Sequence, residues 1–146
     1  MFRRILVPTD GTAAATAAVD AAIGFAHLSG ARVVGLHVIA PRPLLSEGTG
    51  VVTVPESDEA ARECLGYVER RALQAQVSAE VLTRRADAPS EAILAVAREL
   101  HCDLIVMGTH TRRGIGALLP GSQTTAVLTH SAIPVLVVPS PRTAIG

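Results

Sequence analysis

Apolar residues in this chain fall into two alternating arrangements. Five short runs, Arg4-Ile-Leu-Val-Pro-Thr9, Arg32-Val-Val-Gly-Leu-His-Val-Ile39, Glu80-Val-Leu-Thr83, Asp103-Leu-Ile-Val-Met-Gly108 and Val135-Leu-Val-Val138, are apolar without a period of two. Unbroken runs of this kind predict strands of a parallel sheet covered on both faces. Between them the apolar positions take helical spacing. Ala15, Ala18, Val19, Ala22, Ile23 and Ala26 form one stripe, with Thr12 placed to cap it and Gly30 to end it. Ser57-Asp58-Glu59 opens a second helix reaching about Gln76. A third begins at Pro89, capped by Asp87 or Ala88, with Ile93, Ala97 and Leu100 inward. A fourth runs from Gly121 to about His130.

Strand and helix thus alternate along the whole chain, which predicts a single α/β domain over residues 1–146. Its core is an open parallel five-stranded, doubly wound sheet of the Rossmann-like kind, with the five predicted strands in spatial order 3-2-1-4-5. One stretch resists this scheme. Residues 40–57 hold three prolines, two glycines and one apolar patch, Val51-Val-Thr-Val54. A connection longer than ~12–15 residues is expected to be a lid, a partner surface or a mobile insertion.

Composition changes the picture mainly by exclusion. Thirteen basic residues balance 13 acidic ones, and there are only two Phe, one Tyr and no Trp. Neither nucleic acid nor an anionic membrane is therefore an expected partner. Every basic residue is arginine, so a P-loop lysine and a Schiff-base lysine are both excluded. Cys64 and Cys102 lack metal or disulfide spacing and are expected to be free buried thiols. The first apolar run is too short for a signal peptide and no run approaches the ~18 residues of a membrane span, so a cytoplasmic location is expected.

In an open parallel sheet, ligands sit beyond the carboxyl ends of the strands, where strand order reverses. Here those ends are Pro8-Thr9-Asp10, Val38-Ile39 and Met107-Gly108. The last is followed by a basic loop with His110, Thr111, Arg112 and Arg113, and then by Gly121-Ser122-Gln123-Thr124 at a helix start. Amides at a helix N-terminus, its dipole and close backbone approach at glycine all suit an anion such as phosphate. Each residue also has a plainer role open to it: Asp10 or Ser122 as a helix cap, the arginines as a solvated loop. No HExxH, GxSxG, GxGxxG or paired-carboxylate arrangement is present, so no catalytic residue is named.

Gly108, Gly121 and Ser122, with the nine residues Arg112 to Pro120 before Gly121, resemble the glycine signature of the universal stress protein family. The opening ILVPTD, the strand end from Asp103 to His110 and the closing Ile133-Pro-Val-Leu-Val-Val138 are similar as well. The resemblance implies an adenine nucleotide alpha hydrolase-like fold and binding of ATP or a related adenine nucleotide, with or without magnesium. The binding set it implies is Pro8, Thr9, Asp10, the Val38 main chain, Met107, Gly108, His110, Thr111, Arg112, Gly121, Ser122, Gln123 and Thr124. It further implies a stress-linked regulator acting through protein partners, with any hydrolysis slow and incidental. Pro134-Val138, an apolar edge strand, would pair antiparallel with a second copy to make a homodimer. The alternative is a homodimeric scaffold of the same fold that binds no nucleotide. Thr111 stands where the signature has its second glycine, and is expected to weaken nucleotide binding without abolishing it.

Overall fold

The structure is a computed structural model and describes residues 1–40, 42–46, 50–54, 58–109 and 122–140, with only the backbone for 42–46, 50–54 and 122. The elements are β1 (Arg4–Pro8), α1 (Ala13–Ser29), β2 (Arg32–Ile39), β3 (Arg42–Ser46), β4 (Gly50–Val54), α2 (Asp58–Ala75), β5 (Ala79–Arg85), α3 (Pro89–Glu99), β6 (Leu104–Gly108), α4 (Ser122–His130) and β7 (Val135–Val138). Five of the strands form one sheet in the order β5-β2-β1-β6-β7, every neighbouring pair parallel. This is the expected 3-2-1-4-5 arrangement, counted over the five apolar runs.

Alternate residues of each strand enter opposite layers. Ile5, Val7, Val33 and Val106 pack with Val19, Ile23 and Val68, placing α1 and α2 on one face. Leu6, Val34, Leu36, Ile105 and Met107 pack with Ile93, Val96 and Val127, placing α3 and α4 on the other. Burial on both faces is why the strands read as solid apolar runs rather than alternating ones. Each fully buried Leu, Ile or Val contributes roughly 1.5–3 kcal/mol. Truncating one, such as Ile105 at 0% exposure, would cost about 2–5 kcal/mol.

Local chemistry sets the ends of α1. Thr12 is extended (φ −68°, ψ 162°) and its Oγ1 accepts from Ala15 N; Gly30, at φ 72°, closes the helix by donating to Ala26 O. The third helix begins differently. Ala88 at its N-cap makes no side-chain hydrogen bond, with Pro89 in the first turn. The free amide is satisfied from another helix, because Gln123 Oε1 accepts from Ser90 N at 2.8 Å.

The 40–57 stretch differs from expectation. Within it β3 and β4, strands absent from the five-run scheme, form an antiparallel hairpin, with Leu44 opposite Val52 and Leu45 opposite Val51. The apolar Val51–Val54 patch is the second strand of that hairpin, and Pro43 is tolerated because a two-stranded ribbon has only edge strands. Among the described residues, no helix is long and apolar enough to cross a membrane.

Candidate functional site

Neighbouring connections leave β1 and β6 in opposite directions, β1 toward β2 and β6 toward β7, so the strand order reverses between them. A crevice opens there at the carboxyl ends of the strands, as expected for this class of sheet. Its cavity is about 140 Å3, lined by the ends of β1 (Pro8, Thr9, Asp10), β2 (Leu36, Val38) and β6 (Met107, Gly108). The first turns of three helices complete it through Ala14 and Ala15, Pro89 and Ile93, and Gln123.

Backbone hydrogen bonds hold the strand ends in place. Thr9 N donates to Leu36 O at 2.8 Å, and the buried His37 ring donates from Nδ1 to Thr9 O at 2.9 Å, fixing β1 against β2 beneath the cavity. Thr124, 1% exposed, donates from Oγ1 to Gly108 O at 3.3 Å and so ties the first turn of α4 to the end of β6. Asp10 is exposed at the rim. Its Oδ1 accepts from Thr12 N at 3.0 Å and from Thr12 Oγ1 at 2.7 Å, while Thr12 caps α1. The carboxylate therefore organises the Asp10-Gly11-Thr12 turn at the lip of the cavity, and Gly11, at φ 80°, supplies the left-handed backbone which that turn needs.

Gly108 is required for a reason the sequence does not show. A Cβ there would lie 2.4 Å from Ala14 O, 2.5 Å from Ala14 C and 2.9 Å from Ala15 N. Its missing side chain lets the first turn of α1 press against the end of β6, and the same turn forms one wall of the cavity.

The electrostatics combine helix N-termini with two carboxylates, Asp10 at the rim and Glu91 in the first turn of α3. In a parallel α/β sheet each helix starts near the carboxyl end of the strand before it, and here residues from the first turns of α1, α3 and α4 line one cavity. The first turns of α1 and α4 carry no acidic residue, so their positive dipole ends are not offset within the helix. The floor is apolar, with Leu36, Val38, Ile93 and Met107, and the cavity is close to the roughly 150 Å3 that takes up one benzene-sized ring. An apolar slot for a flat ring, beside converging helix N-termini for an anion, is the chemistry on offer.

Seven of the sequence-predicted residues are brought together around this cavity: Pro8, Thr9, Asp10, Val38, Met107, Gly108 and Gln123. Thr124 lies behind it as a clamp rather than in the lining. Gln123 is already engaged through Oε1 as the cap of α3. His110, Thr111, Arg112 and Gly121 lie outside the described residues, as does the Ser122 side chain. Ala14, Ala15, Leu36, Pro89 and Ile93 were missed. Ile93 had registered only as core, and the signal available was its position one turn into a helix that starts at the ligand-bearing rim.

A parallel sheet wound on both faces, with its crevice at the point of strand reversal, defines the class of doubly wound α/β domains. Within that class the family model described as the universal stress protein family matches residues 1–139, and the chain belongs to this family. A universal stress protein from Thermus aquaticus is 35% identical over 145 residues, covering 94% of this chain and 99% of the relative. The universal stress protein YxiE of Bacillus subtilis is 32% identical, with 94% and 99% covered. Among solved structures, a universal stress protein in complex with cAMP superposes with a TM-score of 0.75 at 25% identity, covering 96% of this chain and 98% of that one. A family member from Burkholderia pseudomallei gives a TM-score of 0.71 at 28% identity, with 93% and 95% covered.

Proposed function

We propose that this chain is a stress-linked regulatory protein, cytoplasmic in location, that binds ATP or a related adenine nucleotide in the crevice between β1 and β6. The observation that carries the reading is the meeting of three helix N-termini on an apolar, ring-sized cavity. The base would lie on Val38, Ile93 and Met107, with the Val38 main chain reading its edge. Asp10 would accept hydrogen bonds from ribose hydroxyls. The phosphates, with magnesium where present, would meet Gly108, His110, Thr111, Arg112, Gly121 and Ser122. A similar structure of the same family holds cAMP, an adenine nucleotide, which supports the choice of base. Binding serves regulation here, with any hydrolysis slow and incidental.

The test is a mass spectrum of small molecules released on denaturing freshly purified protein, repeated with Ile93→Glu, which puts a charge into the apolar floor. An adenine nucleotide released by the parent and lost from the variant is the expected result. Absence of nucleotide from the parent, even after incubation with ATP, would refute the reading.

A second reading is favoured by a separate observation. All four residues of β7 are half-buried at the sheet edge, leaving an apolar strand open to pairing. A homodimer joined antiparallel through Pro134–Val138 would cover it, and it would act on protein partners as a scaffold with or without nucleotide. Sedimentation should show a dimer that charged substitutions at Val135 and Val137 dissociate. A monomer well above micromolar concentration would rule this out.

A further inference from the structure

The opposite end of the sheet carries a group of arginines in excess of carboxylates. An open groove of about 720 Å3 lies at the amino ends of β1, β2 and β6, and Phe2, Arg3, Arg4, Arg32, His101 and Asp103 line it. Arg4 and Arg32 are register partners on adjacent strands, an arrangement of like charges that costs stability. One carboxylate, Asp103, lines the groove beside the three arginines and offsets only part of their charge. Asp103 Oδ2 accepts from Arg3 N at 2.8 Å and its Oδ1 from Arg4 N at 3.0 Å, so the carboxylate is held against backbone amides rather than paired with a guanidinium. Arg4 is held in place by donating from Nη1 to Leu100 O at 2.6 Å. Arg3 and Arg32 are exposed, and neither side chain has a carboxylate partner among the described residues, whereas Arg71 and Arg84 pair with Asp20 and Glu99.

We propose that this groove is a docking surface for an acidic segment of a partner protein, with Arg3 and Arg32 taking its carboxylates and Phe2 an adjacent apolar side chain. The charge arrangement selects this occupant. Two free guanidiniums with a fixed third match two or three carboxylates, each able to form a bidentate pair. A duplex nucleic acid or an anionic membrane needs a wide basic field, and the chain's 13 basic residues are balanced by 13 acidic ones. The groove is at the far end of β1 from Asp10, so this surface does not depend on the reading of the crevice.

The probe is a fluorescein-labelled peptide of glutamates interrupted by leucine, titrated by anisotropy with the full chain. Companion titrations use the same peptide with glutamine for glutamate, a short DNA duplex and phosphatidylserine vesicles. The acidic peptide is expected to bind, more weakly as salt is added, and the Arg3→Gln/Arg32→Gln double variant to lose roughly tenfold or more in affinity. Arg62→Gln, an exposed arginine on α2, should leave it unchanged. Arg32→Gln also relieves the Arg4 repulsion, so its thermal midpoint should equal or exceed the parent's while binding falls, which separates lost binding from lost folding. No binding by the parent, equal loss in Arg62→Gln, or tighter binding of the duplex or vesicles than of the peptide would each overturn the proposal.

Discussion

Replacing Gly108 by alanine tests the geometry on which the crevice depends. The added methyl would sit 2.4 Å from Ala14 O, against a normal carbon–oxygen approach of about 3.3 Å. The contact atoms belong to helix backbone, which no rotamer change can move, so the first turn of α1 must retreat by roughly 0.9 Å. Overpacking of that kind costs about 1–3 kcal/mol. For a chain of this size it should lower the thermal midpoint by roughly 3–12 °C. Gly24 provides the internal comparison, because it lies within α1, where an added Cβ meets nothing within 4 Å. Gly24→Ala should stabilise by about 0.5–1 kcal/mol through helix propensity alone. Thermal and urea unfolding of both variants beside the parent is the assay. Opposite signs are expected, and Gly108→Ala with a midpoint at or above the parent's would refute the close packing of α1 on β6.

Other outcomes follow from single contacts. Gln123→Ala removes the acceptor for Ser90 N and should cost about 1 kcal/mol by urea unfolding, the usual loss for a helix cap; an unchanged midpoint would mean that α3 needs no such partner. Asp10→Asn keeps an oxygen for the Thr12 amide and should unfold like the parent, while Asp10→Ala loses the turn as well; if both also bind ATP like the parent, Asp10 belongs to the scaffold. Burial pushes the Cys102 thiol up from 9.0 to about 11. The folded state thus keeps a proton that the unfolded state gives up, so the stabilisation is complete below pH 9, declines as pH rises and is gone above about pH 11. A fall in thermal midpoint across that window, smaller in Cys102→Ser, is expected, and identical profiles would contradict it.

Much of this was legible because parallel strands buried on both faces leave continuous apolar runs. The position of Thr12 between a strand and an alanine stripe likewise identified a cap. What escaped depended on contacts between distant segments. Gly108 was recognised as a site for close approach, but its neighbour is the α1 backbone at Ala14, which local pattern cannot reveal. The N-cap of α3 falls at Ala88, one of the two positions expected, but Ala88 offers no side-chain acceptor, and the one that the Ser90 amide uses lies on Gln123, 33 residues away. The hairpin was missed because Pro43 and neighbouring glycines signal irregular chain, while its pairing of Leu44 with Val52 is invisible until the strands meet. His110, Thr111, Arg112 and Gly121 remain expectations from the glycine signature.

Nucleotide binding in the crevice is tested most directly by calorimetric titration of ATP into the parent and Thr111→Gly. A left-handed backbone at a β-branched residue carries roughly 1–2 kcal/mol of strain, equivalent to about a 5- to 30-fold loss of affinity. Both proteins should therefore bind ATP, the glycine variant more tightly by that factor. Absence of binding by both would contradict the account and leave the scaffold reading in its place.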